Sequence, residues 1–517
     1  MVSTFMGLET SKRALSVAQS ALYTTGHNVA NANTPGYSRQ RVNLSATESF
    51  PSPALNSPRI AGQLGTGVEA GSIQRIRDSF LDSQYRSQSS KVGYYSSLSE
   101  SLTKMEEILN DPSESGLLNT MNNFWGSLED LTTNTDNIGA RAVVASSGQM
   151  VAETLNYYYN ALTSVQEDLR YQIGVEQSGI NTIISNIQSI NEKISKVEPH
   201  GYVPNDLYDE RDTLVDQLSQ FVNVKVSTVF PEKYGIVDKA AAEGLYNIEL
   251  IQEDGSSYMP PINLISVNHT GIVGANTIEV QTDSATGAVS GVKIGGTMLQ
   301  EYKFAGALTG LIESAGYVAD GTVKGAYPDM LQKLNDMTEA FVNEFNYVHS
   351  QGFVVGEPPT NGGKFFEITD GKNAAQTIKV NADIIKDPSL IASGGKSNAA
   401  GDNENAHHLA AIKSKDFTQY ESGNIPAGLN GTFDTYYAGV IGNLGVDSAS
   451  VQKDHSNAQI LATSVDKNRQ SVSAVSLDEE MTDMVRYQQA YNAAARMVTL
   501  VDEMLDRIIN GMGTGGR

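Results

Sequence analysis

Hydrophobic residues recur every seven positions at both ends of this 517-residue chain, and no other feature limits its possible folds as strongly. Near the start, the repeat falls on Leu8, Leu15, Leu22 and Val29. Near the end, it falls on Leu477, Met484, Tyr491, Val498 and Leu505. A seven-residue apolar repeat is typical of a helix whose seam is covered by another helix. The pattern therefore predicts an amphipathic helix at each end.

These nine positions, the terminal seam residues, need a partner, because an isolated helix of this length is barely stable in water. Burying five such side chains at about 1.5–3 kcal/mol each contributes on the order of 8–15 kcal/mol before ordering costs. The partner could be the other end of the chain, a neighbouring subunit, or both. The terminal seam residues are therefore a candidate assembly interface.

A third repeat lies inside the chain and predicts a long rod-like helix. Its apolar positions are Leu155, Leu162, Leu169, Ile183, Ile190 and Val197. Pro199 and Gly201 end the pattern. Asn205 or Asp206 is then expected to cap a further helix. The apolar face expected for that helix carries Leu207, Leu214, Leu218 and Phe221.

The same helix carries a cluster of charges, with Asp209, Glu210 and Asp212 interleaved with Arg211. Such a mixture is usually a solvated helix face, which is the interpretation we adopt. Likewise, Asp478, Glu479 and Glu480 open the C-terminal helix, where acidic side chains favour the positive end of the helix dipole.

The middle of the chain has a different residue pattern. Alternating β-branched residues and turn residues predict short strands over 224–298. Helical spacing returns over 331–348, and residues 351–430 are loop-rich with short strands expected near 365–368 and 377–380. One more helical seam runs from Val451 to Val472. The class is therefore α+β and multidomain, with helices at both ends flanking a β-rich insertion.

We predict three domains, each built from separate stretches of the chain. They are a terminal coiled-coil domain (1–40 with 474–517), a helical rod domain (41–222 with 301–350 and 431–473) and a β-rich and loop-rich inserted region (223–300 with 351–430).

The composition argues against several function classes. With 36 Lys and Arg against 59 Asp and Glu, the formal charge of −23 disfavours nucleic acid and anionic membranes as partners. The chain has no cysteine, and its one close histidine pair, His407 and His408, has a poor spacing for chelation. Residues 394–397 resemble the end of a phosphate loop, but Leu390 stands where that loop needs glycine. We expect no catalytic residue, no metal and no cofactor.

No stretch is long and apolar enough for a membrane span, and the first residues lack the pattern of an ordinary signal peptide. The chain is therefore expected to be cytoplasmic or to be exported by a route without a cleaved signal.

Residues 28–37 carry a recognisable signature. Its key positions are Asn28, Asn31, Thr34, Pro35, Gly36 and Tyr37. Proline disfavours a helical conformation for the residue before it, and Pro-Gly suits the centre of a type II turn, so the segment predicts a fixed exit from the terminal helix. The signature closely resembles the one shared by the flagellar axial family, the bacterial rod, hook and hook-associated proteins.

Further segments resemble the members of this family at the hook–filament junction. They are residues 65–68 with 75–78, residues 205–214, residues 475–481 and residues 487–491. The resemblance covers about 1–225 and 430–517, whereas the middle departs more.

The resemblance implies a structural adaptor between hook and filament, located outside the cell and exported by the flagellar type III system. It implies that coiled-coil-like helices from both termini form inner domains and that the β-rich insertion forms an outer domain. The implied partners are other copies in a ring, the hook protein, the second junction protein and a cytoplasmic export chaperone on the C-terminal segment. The alternatives are another axial subunit of the hook or distal rod or, much less favoured, an axial protein with an enzymatic insertion.

Overall fold

The computed structural model describes residues 4–51, 62–109, 116–232, 234–236, 238–239, 241–300, 304–355, 359–369, 371–395, 401–423 and 425–511. The chain divides into two compact units. Unit 1 comprises Met1–Ser90, Gly179–Ile278 and Ala458–Arg517. Unit 2 comprises Lys91–Ser178 and Glu279–Asn457. The finer division into three domains stays a prediction.

Helices dominate the described part of the chain. In chain order they are α1 (Thr4–Asn31), α2 (Ser79–Leu109), α3 (Leu117–Thr133), α4 (Ile138–Val197), α5 (Asn205–Phe221), α6 (Ala307–Ala315), α7 (Ala326–Gln351), α8 (Ala374–Thr377), α9 (Ala382–Lys386), α10 (Glu404–Ala411), α11 (Phe433–Ser473) and α12 (Leu477–Gly511). None of the described helices is apolar over a length that would cross a membrane.

The strands are shorter, and seven of the fifteen in the described part of the chain lie between α5 and α6. They are β1 (Gln40–Ala46), β2 (Val68–Arg75), β3 (Val224–Val229), β4 (Leu245–Ile251), β5 (Ser257–Val267), β6 (Val273–Ala275), β7 (Ile278–Thr282), β8 (Val289–Ile294), β9 (Thr297–Leu299), β10 (Tyr317–Ala319), β11 (Thr322–Lys324), β12 (Phe353–Val354), β13 (Thr360–Asn361), β14 (Phe366–Glu367) and β15 (Lys379–Val380). Long helices with strands between them confirm the α+β multidomain class.

Unit 1 contains two antiparallel β elements. Strands β1 and β2 form a ribbon in which Gln40 lies opposite Arg75, with a register shift between Asn43 and Leu44. Strands β3, β4, β5 and β6 form a four-stranded sheet in chain order. Alternate residues of β4, among them Ile248 and Leu250, are fully buried, as expected for a sheet with one face on a core.

Unit 2 is built around an aromatic core. Its rings are Phe124, Trp125, Phe341, Phe345, Phe365, Phe366 and Phe433. Five rings lie within 6.4 Å of the centre of the Phe124 ring, tilted or edge-on, the geometry that aromatic quadrupoles favour. Phe124 and Trp125 are both buried and anchor this core.

The remaining strands form a five-stranded sheet and two small ribbons. Strands β11, β10, β8 and β7 are neighbours in that order, and β9 adds to β8. The β12–β13 and β14–β15 ribbons are two residues wide. The predicted strands near 365–368 and 377–380 are thus confirmed as the paired β14 and β15, although each is shorter than expected.

The predicted rod helix is confirmed in α4, which has 60 residues and starts well before the first residue of the repeat. Its last turn ends at Val197, and Gly201 has a φ of 88°, a left-handed conformation that glycine adopts without strain. The predicted cap of α5 is wrong. Pro204 occupies the cap position without a side-chain hydrogen bond, and the amide of Asn205 instead donates to the carbonyl of Ile73 over 3.0 Å.

Candidate functional site

The two chain ends pair as antiparallel helices within one copy. A Cβ atom placed on Gly7 would lie 3.9 Å from a methyl carbon of Val501, and the side chains of Asn28 and Glu480 are hydrogen-bonded over 3.0 Å. The start of α1 therefore meets the end of α12, and the end of α1 meets the start of α12. Within unit 1 this is the most extensive contact between two helices.

Most of the terminal seam residues are only partly covered by the α1–α12 pair. The half-buried ones are Leu8, Leu15, Leu22, Val29, Met484, Tyr491, Val498 and Leu505. Leu477, at the first position of α12, is exposed. The buried apolar positions of the two helices hold alanine and valine instead, namely Val17, Ala18, Ala21, Ala494 and Val501. Small side chains allow close approach of the two backbones, so the larger seam side chains sit to the side of the contact line.

Besides the terminal seam residues, α12 carries a set of large apolar side chains that one copy leaves exposed. It consists of Met481, Val485, Met497, Leu500, Met504 and Ile508, all exposed in a single copy. We call these six residues the outer row. Four of them recur at three- or four-residue steps from 497 to 508, which is a sequence signal for one exposed apolar stripe.

Asn28 is the hydrogen-bonding centre of the pair and is almost completely buried. Its amide nitrogen donates to the carbonyl of Gln40 over 2.8 Å and to Glu480 Oε2 over 3.0 Å. Its amide oxygen accepts from the Gln40 backbone nitrogen over 3.0 Å and from the Tyr37 hydroxyl over 2.8 Å. One side chain thus ties α1 to the turn, to β1 and to α12.

The other signature residues build the exit from α1. The Asn31 amide donates to the carbonyl of His27 over 3.1 Å, and the Thr34 hydroxyl donates to Asn31 Oδ1 over 3.2 Å. The Tyr37 nitrogen donates to the Thr34 carbonyl over 3.2 Å, closing a turn with Pro35 and Gly36 at its centre. This geometry fits the expected type II turn.

Gly36 is required at this turn for two reasons. Its φ of 81° is a left-handed conformation, and a Cβ atom there would collide with the Thr213 hydroxyl on α5. Tyr37 is held just as firmly. Burial, followed by the negative charges of Asp209, Asp206 and Glu480, raises the pKa of its phenol, which stays a neutral donor at physiological pH.

Arg39 joins the turn to the start of α12. Its Nε donates to Glu480 Oε1 and its Nη1 donates to Glu479 Oε2, each over 2.6 Å. Burial alone would lower the pKa of Arg39, but the bonds to Glu480 and Glu479 raise it above its usual value. We call Asn28, Arg39 and Glu480 the latch.

The latch changes the interpretation of one carboxylate. Among the three acidic residues that open α12, the helix dipole is a sufficient reason for the exposed Asp478 and Glu479, but Glu480 has a side-chain exposure of only 2%. A buried carboxylate needs specific donors, and Asn28 and Arg39 supply them.

Beside the turn, α5 contradicts the expected solvated face. Asp209, Arg211 and Asp212 are buried, and only Glu210 is exposed. The apolar face predicted for α5 is only partly buried. Leu218 is buried, whereas Leu207, Leu214 and Phe221 are half-buried. The acidic side chains of α5 can be buried because cations from distant parts of the chain compensate their negative charge.

Asp212 is the centre of this buried ion network. Its Oδ2 lies 2.7 Å from Arg75 Nη2, and its Oδ1 lies 2.9 Å from Arg86 Nη2. Burial alone would raise the pKa of Asp212, but Arg77, Arg75, Arg86 and Arg211 together hold it well below its usual value. The network fixes the β1–β2 ribbon and α2 against α5.

The described residues hold no cluster of side chains suited to binding a metal ion. No group of three or more His, Asp or Glu side chains is placed to hold a metal ion among them. His407 and His408 lie exposed on α10. Of residues 394–397, Lys396 and Ser397 lie outside the described residues. What the site offers is therefore a latched helical pair with an exposed apolar row.

Comparisons with known proteins give the class first. A family model described as a flagella basal body rod protein matches residues 8–37, and one described as the C-terminal part of the flagellar basal body rod FlgEFG proteins matches residues 468–511. Both matches fall on the paired chain ends. The protein is thus a flagellar axial structural protein.

The particular family follows from the rest of the chain. A model described as the helical domain of flagellar hook-associated protein FlgK matches residues 102–366. Flagellar hook-associated protein 1 of Bacillus subtilis is 45% identical over 528 aligned residues, which cover 100% of both chains. The protein of that name in Escherichia coli is 24% identical, covering 96% of this chain and 98% of its own. The chain belongs to the flagellar hook-associated protein 1 family.

A solved structure agrees on the fold. The flagellar hook junction protein FlgK from Burkholderia pseudomallei superposes with a TM-score of 0.56 at 13% identity, covering 77% of this chain and 100% of the other.

Proposed function

We propose that this protein is the adaptor between hook and filament, and that its copies assemble by burying the outer row of α12 against neighbouring subunits. The observation that carries the proposal is the outer row itself, an exposed apolar face on a helix that the latch holds in a fixed register. The names of the relatives, which place them at the hook, support the location.

The energetics suit a protein that stays monomeric until it reaches its site. The six residues of the outer row are each about half exposed, so covering them contributes about 1 kcal/mol apiece, or on the order of 6 kcal/mol. A micromolar complex needs about 8 kcal/mol. One such contact is therefore too weak for a stable dimer, whereas a subunit with several neighbours in a ring is held firmly.

The terminal seam residues have a different part in this proposal. They are half-buried, so they support the α1–α12 pair and leave a margin of apolar surface for neighbours. The sequence left open whether the other terminus, a neighbouring subunit, or both cover these residues. In this proposal, both do.

Export and chaperoning complete the proposal. An apolar row on an exposed helix favours aggregation unless it is covered. A cytoplasmic chaperone on the C-terminal segment would cover it, and export through the flagellar type III system would deliver the chain without a cleaved signal. The partners after export would be further copies, the hook protein and the second junction protein.

The test places charges on the outer row with the variant Met497→Asp/Met504→Asp in flagellated cells. We expect a folded monomer, bare hooks and flagellin shed into the medium. A matched control is Gln488→Asp/Asn492→Asp, which places the same charges at exposed polar positions of α12. Normal motility of the outer-row variant would refute the proposed assembly.

A second variant separates pairing from assembly. Met484→Asp/Val498→Asp alters the seam side and should loosen the α1–α12 pair as well as abolish filament attachment. Imaging a labelled full-length chain on isolated hook–filament structures distinguishes the adaptor from a hook or distal-rod subunit, because only the adaptor forms a single band at the junction.

A further inference from the structure

A cavity of about 480 Å³ lies in unit 1, beside the end of α1 and the start of α5. Its walls include Tyr23 and His27 of α1, Gln40 of β1, and Asn205 and Asp206 of α5. Asp206 is the one acid among the lining residues, and none of them is a lysine or an arginine. We call it the α1–α5 cavity.

The side-chain oxygen of Asn205 accepts no hydrogen bond from the described residues, although Asn205 is only 7% exposed. The amide nitrogen fixes the orientation of the side chain, because it donates to the Ile73 carbonyl over 3.0 Å and to Gln40 Oε1 over 3.4 Å. Reversing the amide would place two acceptors against each other at both contacts. Buried polar atoms almost always have a hydrogen-bond partner, so this oxygen calls for a donor from outside the chain.

Two exposed side chains at the same cavity suit a cation. Asp206 accepts from the Gln40 amide over 3.2 Å but forms no ion pair with any side chain that the structure describes. Tyr23 is 76% exposed. A guanidinium is planar, donates several hydrogen bonds and stacks on aromatic rings. A carboxylate, an unused amide acceptor and an exposed aromatic ring together favour an arginine side chain as the ligand.

Arg496 on α12 is an arginine of this chain that lacks a partner. It is exposed, and it is the only charged residue between Arg486 and Asp502. It forms no ion pair with any side chain in the described part of the chain. Met497 follows it directly and Leu500 lies one turn further on, so Arg496 borders the outer row. The surface that the proposed function covers with a neighbouring copy therefore carries an unpaired guanidinium.

Arg496 does not reach the α1–α5 cavity of its own copy. Ala494, two positions earlier, is buried in the α1–α12 pair, which puts Arg496 on roughly the opposite side of α12. The antiparallel register of the pair also sets Arg496 about three helical turns from Tyr23, on the order of 16 Å along the helix axes. One side chain does not cross that distance, so any contact between Arg496 and this cavity joins two copies.

We propose that the α1–α5 cavity of one copy binds the Arg496 guanidinium of a neighbouring copy. The guanidinium donates to Asp206 and to Asn205 Oδ1, and its plane packs on the Tyr23 ring. The contact joins two different surfaces, so it is heterologous, and repeating it gives a closed ring or a helix. The proposal rests on the adaptor function and adds a charged anchor to the apolar contact of the outer row.

A charge exchange tests the pairing. Isolated hook–filament structures from each strain are washed at increasing salt, and the retained protein is measured by immunoblot. At the salt concentration that releases half of the unaltered protein, Asp206→Arg and Arg496→Asp should each lower retention at least fivefold, and the double variant should restore most of it. Glu210→Arg and Arg507→Asp make the same charge changes at exposed positions of the same helices and should stay within twofold. Circular dichroism of each purified chain checks the fold.

Each other outcome decides a separate point. Weaker retention in Asp206→Arg but not in Arg496→Asp would overturn Arg496 as the occupant and assign the cavity to a cation of another subunit. Unchanged retention in both would overturn the site, with Asn205 Oδ1 bound to water alone, and would leave the adaptor function standing. Absence of the unaltered protein from hook–filament structures would overturn the adaptor function itself.

The absence of cysteine from the chain allows a test of proximity, since introduced thiols are then the only ones present. Tyr23→Cys and Arg496→Cys are combined in one chain, and isolated hook–filament structures are treated with a bismaleimide whose reach is shorter than the distance within a copy. Under denaturing conditions we expect a ladder of dimers, trimers and larger species, and only monomers from each single variant. Monomers alone from the double variant, with the protein present in the structures, would contradict the proposed contact.

Discussion

The aromatic core of unit 2 and the paired ends of unit 1 are stabilised in different ways. Phe124, Phe341 and Phe345 are fully buried, and their ring centres lie 5.4–6.4 Å apart. In the paired ends, by contrast, the buried apolar residues are alanines and valines, and the larger apolar side chains stay half-buried or exposed. The polar latch, not apolar depth, fixes the register of the pair.

The difference separates what stabilises one copy from what the proposed assembly would use. A core that satisfies its own apolar surface needs no other copy. A pair held by hydrogen bonds and ion pairs has its geometry set in advance, and it keeps apolar surface free for neighbours. Variants of each region test whether stability and assembly depend on different residues.

The largest effect is expected in the aromatic core. Phe341→Ala removes a fully buried ring and leaves a cavity, so we expect the free energy of unfolding to fall by about 3–5 kcal/mol. Trp125, the only tryptophan, lies 5.8 Å from Phe341 and reports this unit by fluorescence during urea unfolding. The exposed Phe80→Ala is the control, and a similar loss in both variants would contradict a self-sufficient core.

The buried ion network should be nearly as sensitive. Asp212→Asn leaves buried guanidinium groups without their central charge, and we expect a loss of about 3 kcal/mol in unfolding free energy. Glu210→Gln, exposed on the same helix, should have almost no effect. Urea unfolding followed by far-ultraviolet circular dichroism measures both.

The lowered pKa of Asp212 also predicts how the stability of the protein changes at acidic pH. Folding lowers the pKa of Asp212. Its ionised carboxylate therefore contributes fully to stability above its unfolded pKa, and this contribution is lost as the pH falls through its folded pKa. Stability of Asp212→Asn should therefore fall less steeply below about pH 4 than that of the unaltered protein. Parallel pH profiles would contradict this role.

His349 makes unit 2 sensitive to mild acid. Burial lowers its pKa to about 4, aided by the charge of Arg141 and opposed by the hydrogen bond to Gly363. Its Nδ1 donates to the Gly363 carbonyl over 2.7 Å, and its Nε2 accepts from the Ala392 nitrogen over 3.0 Å, so the folded state needs the neutral ring.

Because the unfolded histidine binds its proton near pH 6.5, stability falls as the pH drops from about 6.5 to 4. The expected loss is on the order of 3 kcal/mol across this window. His349→Gln should flatten the Trp125 unfolding profile there, while the exposed His408→Gln should leave it unchanged. A steep profile in His349→Gln would assign the acid sensitivity to another group.

The smallest stability effect is expected in the latch. Glu480→Gln removes the charge that faces Arg39, and we expect about 1–2 kcal/mol, confined to α1 and α12. Hydrogen exchange of α12 amides should speed up while amides of α7 stay unchanged. The neighbouring Glu479→Gln, whose side chain is mostly exposed, should have a smaller effect. Equal effects would show that Glu480 acts only through the helix dipole.

Periodicity predicted much of this fold. The seven-residue repeats gave α1, α4 and α12, and Pro35 with Gly36 gave the turn after α1. These features depend on residues close together in the sequence, so the local pattern carries enough information.

The buried charges could not be predicted in the same way. On α5, the alternation of Asp209, Arg211 and Asp212 looks like that of a surface helix, because nothing local distinguishes a solvated acid from one paired at a distance. The cations that pair with the buried Asp212 belong to Arg75 and Arg86, which lie more than a hundred residues earlier in the sequence. The same holds for Glu480, whose donors come from the other end of the chain.

The bond between Asn28 and Glu480 spans 452 residues of sequence, and this has a consequence in time. During synthesis from the N-terminus, α1 is made long before α12. Until the last segment arrives, the first has no mate and its register is not set. The α1–α12 pair can therefore form only once both ends of the chain are present.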